Sequence, residues 1–344
     1  MDLRAPDEHG AEERGWRVVS AAYAARVPRR RSHRVRTAIG VVAVAAVAAV
    51  AVTPPGRAVV HTVREAIGVA NADRVLSSLP AGGRVLAGPW VVAASGSTRH
   101  LGAYDAASWS PFGRYVVATS GEDDLVALTT KGDIRWRVGR PDVGMPRWGG
   151  TRTDTRIAYF SGQHLRVVAG DGTGDHQAVP GFVAYVAPAW RPGGSFTLAY
   201  VASDGRVHVG SAASVAFDHP RKLAWSTDGE RLLVVTRRAV VVLDPHARIV
   251  GTLGGGFRDA AFVPGTHRVA SLTRHAVVLG GRTLFRTTGR LAQVVPSPDG
   301  RWLLVTWPEA DQWLFVPVHG GRIRAVGNIA RQLDGAFAVG GWTS

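Results

Sequence analysis

Two hydrophobic patterns divide the chain. Residues Ala38 to Thr53 form an uninterrupted run without a charge, rich in Ala and Val. Beyond about Arg84 the pattern changes to short apolar runs separated by polar turns, and the runs are made of β-formers rather than of residues at helical spacing. Within this longer region a single unit recurs every 34 to 42 residues: a bulky residue, a short polar turn that closes on Gly, then an apolar strand. Its copies are Trp109-Ser-Pro-Phe-Gly113, Trp148-Gly-Gly150, Trp190-Arg-Pro-Gly193, Trp225-Ser-Thr-Asp-Gly229, Phe262-Val-Pro-Gly265, Pro296-Ser-Pro-Asp-Gly300 and a degraded Arg331-Gln-Leu-Asp-Gly335.

Each unit divides into four strands. In the fourth, Lys222–Trp225, Arg231–Thr236, Ala239–Leu243 and Arg248–Leu253 are predicted strands, with Asp228-Gly229 and Asp244-Pro245 at the joints. Second strands recur at Tyr115–Thr119, Ile157–Phe160, Thr197–Tyr200, Val269–Leu272 and Trp302–Thr306. Such continuous apolar runs suit sheets covered on both faces. A strand-built repeat of this period predicts an all-β fold, a seven-bladed β-propeller, with six or eight blades as alternatives. The last unit supplies only Asn328–Arg331 and Phe337–Val339. The strands Trp90–Ala94 and Thr98–Leu101 are expected to complete it, two from each end of the chain, and so to remove the exposed edges of an open array.

The Ser-Pro-x-Gly turn followed by an arginine and an apolar strand resembles the WD40-like repeat of the TolB propeller family, over about residues 84–344. The resemblance implies the propeller fold. An α/β domain like the one that precedes the propeller in TolB is not visible here.

The uncharged run predicts a single transmembrane helix over 37–53, ended by Pro54-Pro55-Gly56 because proline lacks the amide hydrogen the helix needs. Arg26, Arg29, Arg30, Arg31, Arg34 and Arg36 precede it and only Arg57 and Arg64 follow closely. This asymmetry puts a basic tail, 1–36, in the cytoplasm and the propeller outside. The alternative is a cleaved signal peptide with Ala49-Val50-Ala51 as its cleavage site, for which the preceding segment is long. Trp16, Val19, Tyr23 and Val27 fall on one face of an amphipathic helix, which would lie on the inner leaflet or dock a cytoplasmic regulator. Residues 54–83 are expected to form a helical stalk or linker, with Val60, Val63, Ile67 and Val75 on its apolar face.

Charge and composition add little to function. The net charge of +15 comes from 41 basic residues of which only Lys131 and Lys222 are lysine, and the arginines are spread through the repeats, so nucleic acid is not the expected partner. There is no cysteine, hence no disulfide framework and no thiolate chemistry. No Gly-x-Ser-x-Gly elbow and no His-Glu-x-x-His or His-x-His spacing occurs, and no catalytic, metal or cofactor residue is assigned; an enzyme is not expected. Asp171-Gly-Thr-Gly-Asp175 has the alternating oxygens of a partial calcium loop but reads better as a hairpin turn, and Glu122-Asp123-Asp124 reads as a solvated hairpin tip that could also hold a cation or a basic partner. Trp109, Trp148, Trp190 and Trp225, one per blade, read as an interblade layer rather than a stacking platform. The expected function is protein or cell-envelope ligand binding through loops on one face of a membrane-tethered propeller. The alternative is an anti-sigma-like signalling protein with the propeller as sensor, and a weaker one is a carbohydrate-binding or hydrolytic propeller.

Overall fold

The computed structural model describes residues 72–344. The expected cytoplasmic tail over 1–36, the transmembrane helix over 37–53 and the stalk as far as residue 71 lie outside the described residues. No helix among the described residues is long and apolar enough to cross a membrane.

Seven four-stranded antiparallel sheets follow one another around a ring and close on themselves, so the count of seven blades holds. Blades are numbered by their innermost strands: Ala107–Trp109, Val143–Gly150, Ala189–Trp190, Lys222–Trp225, Asp259–Phe262, Gln293–Pro296 and Val339–Thr343. The predicted second strands appear at Tyr115–Ser120, Thr155–Ser161, Leu198–Val201, Leu232–Val235, Val269–Leu272 and Trp302–Trp307.

The continuous apolar runs have the expected cause. In the second strand of blade 4, Leu232 and Val234 point into the space shared with blade 3, and Leu233 and Val235 into the space shared with blade 5; all four are fully buried. Seven hydrophobic clusters result, one for each gap between neighbouring blades. Each fully buried Leu or Val in them contributes about 2 kcal/mol of burial, so the ring is held at every joint rather than by one central core.

Closure differs from the two-plus-two expectation. Blade 7 takes its innermost strand from the C-terminus, Val339–Thr343, and three strands from the other end, Arg84–Ala87, Trp90–Ala93 and Thr98–His100. The joining register pairs Val85 with Trp342 and Leu86 with Gly341. Asn328–Arg331 is not a strand: Ile329–Gln332 forms one turn of helix, and Arg331–Gly335 leads out of it into the connection toward the last strand.

Residues 72–83 contain no helix, so the helical stalk expected over 54–83 does not extend across them. Instead Asp73 makes a parallel bridge to Val326 at the outer edge of blade 6, and Leu76 and Leu79 are buried in the cluster between blades 6 and 7.

Candidate functional site

A four-stranded antiparallel blade has its first and third turns at one end and its second turn, with the connection to the next blade, at the other. The ring therefore has a turn face and a connection face, and their chemistry differs.

On the turn face the repeated motif is consumed by structure. The buried Ser297 hydroxyl accepts the amide of Trp302 at 2.9 Å and donates to Asp299 at 2.6 Å, while Gly300 donates its amide to the Ser297 carbonyl. Ser226 repeats the pattern with Arg231 and Asp228, and Ser110 accepts the amide of Tyr115 in the same way in a turn without a carboxylate. Gly300 sits at φ +68, which the turn demands and which an L side chain adopts at a cost. His267 Nε2 meets Asp228 at 2.7 Å, so serine, carboxylate and imidazole are joined. The carboxylate is in the middle, however, and the imidazole has no contact with the hydroxyl whose proton a hydrolase would need it to take.

The tryptophans lie between blades, as their spacing implies. Trp190 donates its indole N–H to the carbonyl of Arg147, and Trp225 to that of Ala189: in each case to the residue before the tryptophan of the preceding blade. Trp109 donates to Gly341, the residue before Trp342, so the relation runs across the closure. Gly149 leaves the space into which the Trp190 ring packs against its backbone. Trp148 breaks the series, its N–H being buried without a partner.

The Asp171–Asp175 segment is a turn between the third and outermost strands of blade 2. Asp171 folds back onto the amide and hydroxyl of Thr173. Asp175, its side chain 8% exposed, accepts from Arg140 of the preceding connection, from Arg166 twice and from the Tyr159 hydroxyl at 2.7 Å. Burial alone would raise the Asp175 carboxyl, but the hydrogen bonds from Arg166, Tyr159 and Arg140 outweigh it and hold the group below its ordinary value. Burial, then the bond to Asp175, pushes Tyr159 up to about 12. Two arginines already neutralise this carboxylate, so the segment is an electrostatic joint between blades 1 and 2. Among the described residues no group of three or more His, Asp or Glu could hold a metal ion.

The connection face carries exposed aromatics beside a groove. The link from blade 2 to blade 3, residues 178–188, carries Phe182 at 61% and Tyr185 at 55% exposure, backed by His164 and Phe160 at 5.0 and 4.9 Å between ring centroids. Beside it an open groove of about 650 Å³ runs between blades 3 and 4, lined by Ala184, Asp204, Phe217, His219, Arg221 and Arg237. Arg221 is fixed there by the carbonyls of Thr236 and Phe257. Glu122 and Asp123 stand exposed on the tip between the second and third strands of blade 1, whereas their neighbour Asp124 pairs with Arg137. Reading motifs from the sequence did not single out Phe182 or Tyr185. One signal was present: Trp148 to Trp190 is the longest interval of the repeat, and its surplus residues form this connection.

The chain is thus an all-β, seven-bladed β-propeller. No family model matches it, and no curated protein sequence does. Among solved structures it is similar to the C-terminal WD40 domain of Sif2, with a TM-score of 0.55 at 11% identity over 75% of this chain and 89% of that one. It is similar as well to a chain of the mitotic checkpoint complex, with a TM-score of 0.53 at 13% identity over 75% and 84%. A third neighbour is a candidate 6-phosphogluconolactonase from Bacteroides uniformis, with a TM-score of 0.51 at 14% identity over 71% and 95%. At these identities the likeness is one of fold: a propeller with WD40-type structural neighbours.

Proposed function

We propose that this protein is a non-enzymatic binding scaffold, tethered to the membrane by residues 37–53, that docks a protein on the connection face of an extracytoplasmic propeller of the TolB-like kind. The observation that carries the docking surface is the exposed pair Phe182 and Tyr185 beside the groove of Arg221 and Arg237, because large aromatics flanked by arginine are the residue types that anchor protein interfaces. The uncharged run and the arginine excess before it support the tether and its direction. The non-enzymatic reading rests on the turn-face serines, whose hydroxyls are spent on backbone amides and carboxylates.

Two measurements test the proposal. A photo-crosslinking phenylalanine analogue placed at Phe182 in intact cells is expected to give high-mass adducts, and the same analogue at Phe112 on the turn face is not; adducts from Phe112 alone would place docking on the other face. For the tether, the cysteine-free chain allows Asp2→Cys and Ser344→Cys, of which only the second should react with an impermeant label before lysis.

A second reading, transmembrane signalling in the manner of an anti-sigma factor, draws on the spacing of Trp16, Val19, Tyr23 and Val27 in the tail. It requires residues 1–36 to retain a cytoplasmic partner, and a tail that retains none would end it.

A further inference from the structure

We propose that the partner seated on the connection face is a second copy of this chain, the two discs stacked face to face about a two-fold axis; this rests on reading that face as the docking surface. The ground is a division of charge. On the turn face the carboxylates are engaged, Asp228 by Ser226, Glu230 by Arg191, Asp299 by Ser297 and Asp154 by Arg156. On the connection face Asp105, Glu122, Asp123, Asp142 and Asp334 are exposed and have no side-chain hydrogen bond or ion pair among the described residues. Asp334 stands apart, between blades 6 and 7; the other four occupy one sector: the connection into blade 1, the tip of blade 1 and the connection out of it.

The complementary sector holds more cations than carboxylates. Asp218, held below its ordinary value first by its hydrogen bond to His219, is shared by Arg237 and Arg238, the latter at 3.9 Å; Glu309, already bonded to Arg290, is the carboxylate nearest Arg274; and Arg258 is exposed with no carboxylate among the described residues. Their loops form one patch across blades 4 and 5, since Gly255 donates its amide to the Arg238 carbonyl and Arg258 donates its own to Leu272. In a ring of seven, the boundary between blades 4 and 5 lies opposite blade 1. A two-fold axis lying in the interface and bisecting these sectors sets the acidic sector of each disc on the basic sector of the other, which is the self-complementarity an isologous dimer requires.

Two further features fall on that axis. One end passes over the connection between blades 2 and 3, where Phe182 and Tyr185 of one copy meet those of the other. The other end lies over blades 6 and 7, where Asp73 joins the rim, so both chains enter the discs on the same side, as two copies tethered in one membrane must. Other occupants satisfy half of the surface. A polyanion or an anionic lipid would suit the arginines but face four bare carboxylates, and a cation would suit the carboxylates alone. The net charge of +15 opposes association at long range, but salt screens it beyond about 8 Å, so contacts across the interface decide.

The test is charge reversal on the purified full chain in detergent micelles, read by sedimentation across a concentration series. The wild type is expected to dimerise in the micromolar range. Glu122→Arg with Asp123→Arg, and separately Arg237→Glu with Arg274→Glu, should each raise the dissociation constant by about tenfold or more, because like charges then face each other. An equimolar mixture of the two variants should recover association, since reversing both sectors restores opposite signs. If either variant melts early, Phe182→Cys in the cysteine-free chain provides the readout: it should form a disulfide-linked dimer that Phe112→Cys does not. A wild type that stays monomeric to about 100 μM, or a mixture that fails to recover, overturns the proposal. The photo-crosslinking above separates this from the docking reading: Phe182 adducts at a mass other than twice the chain keep the docking face and exclude the second copy.

Discussion

Asp175 concentrates at one residue the electrostatics that join blades 1 and 2. Its carboxyl lies below its ordinary value when folded, so it contributes stability that is complete above the unfolded value near 3.9 and drains away as pH falls through the folded one. Tyr159 acts at the opposite end of the scale. Raised to about 12, it contributes fully below its unfolded value near 10 and loses that contribution as pH rises beyond it. Asp175→Asn should cost about 2 kcal/mol at neutral pH, less than the roughly 3–5 of a fully buried pair because Arg140 remains 40% exposed. Thermal melts from pH 7 to pH 3 should show the wild type losing its advantage over the variant toward the acid end; a constant difference would deny the carboxylate this role. The sequence displayed Asp171 and Asp175 as a pair with a hint of calcium. Their separation into a local turn and a charged joint depends on Arg140, from the preceding connection, and Arg166, from the neighbouring strand, which local spacing does not reveal.

At the scale of elements, the strands that could be read from the sequence were those covered on both faces. Ala239–Leu243 and Val269–Leu272 fall where the pattern puts them, because nearly every position in such a strand is apolar, Ser271 being the exception, and Asp, Gly or Pro mark the joints nearby. Closure was not legible in the same way. Val339–Thr343 has its β-formers Val339, Trp342 and Thr343 interrupted by two glycines, while Ile329 and Ala330 gave an apolar signal that belongs to a turn of helix. What selects the last strand is pairing with Arg84–Ala87 across nearly the whole chain, together with burial of Trp342 against Phe315. Trp342→Ala should therefore cost about 3–4 kcal/mol, and deletion of residues 339–344 should abolish the single cooperative melt by exposing the edge of Arg84–Ala87. A truncated chain that melts within about 2 °C of the wild type would show that the ring does not depend on this strand.

For the ring as a whole, closure buries the flanks of the blades and leaves the two faces and the outer rim as the surfaces open to a partner. Seven interblade clusters occupy the flanks of the blades, the serine turns and tryptophans occupy one end, where every carboxylate is engaged, and the carboxylates left without partners lie at the other end. That sorting was hidden in a sequence whose arginines run through every blade. Only the fold shows which carboxylates are already spent, and that Asp105, Glu122, Asp123 and Asp142, which are not, share one sector opposite the arginines of blades 4 and 5. Hydrogen exchange by mass spectrometry on the full chain, at concentrations above and below association, reads both faces at once. Stacking through the connection face should slow exchange in 101–106, 121–123, 178–188, 236–238 and 255–258, with 110–114, 226–231 and 297–301 unchanged. Protection confined to the latter three segments, or none at all, would contradict it.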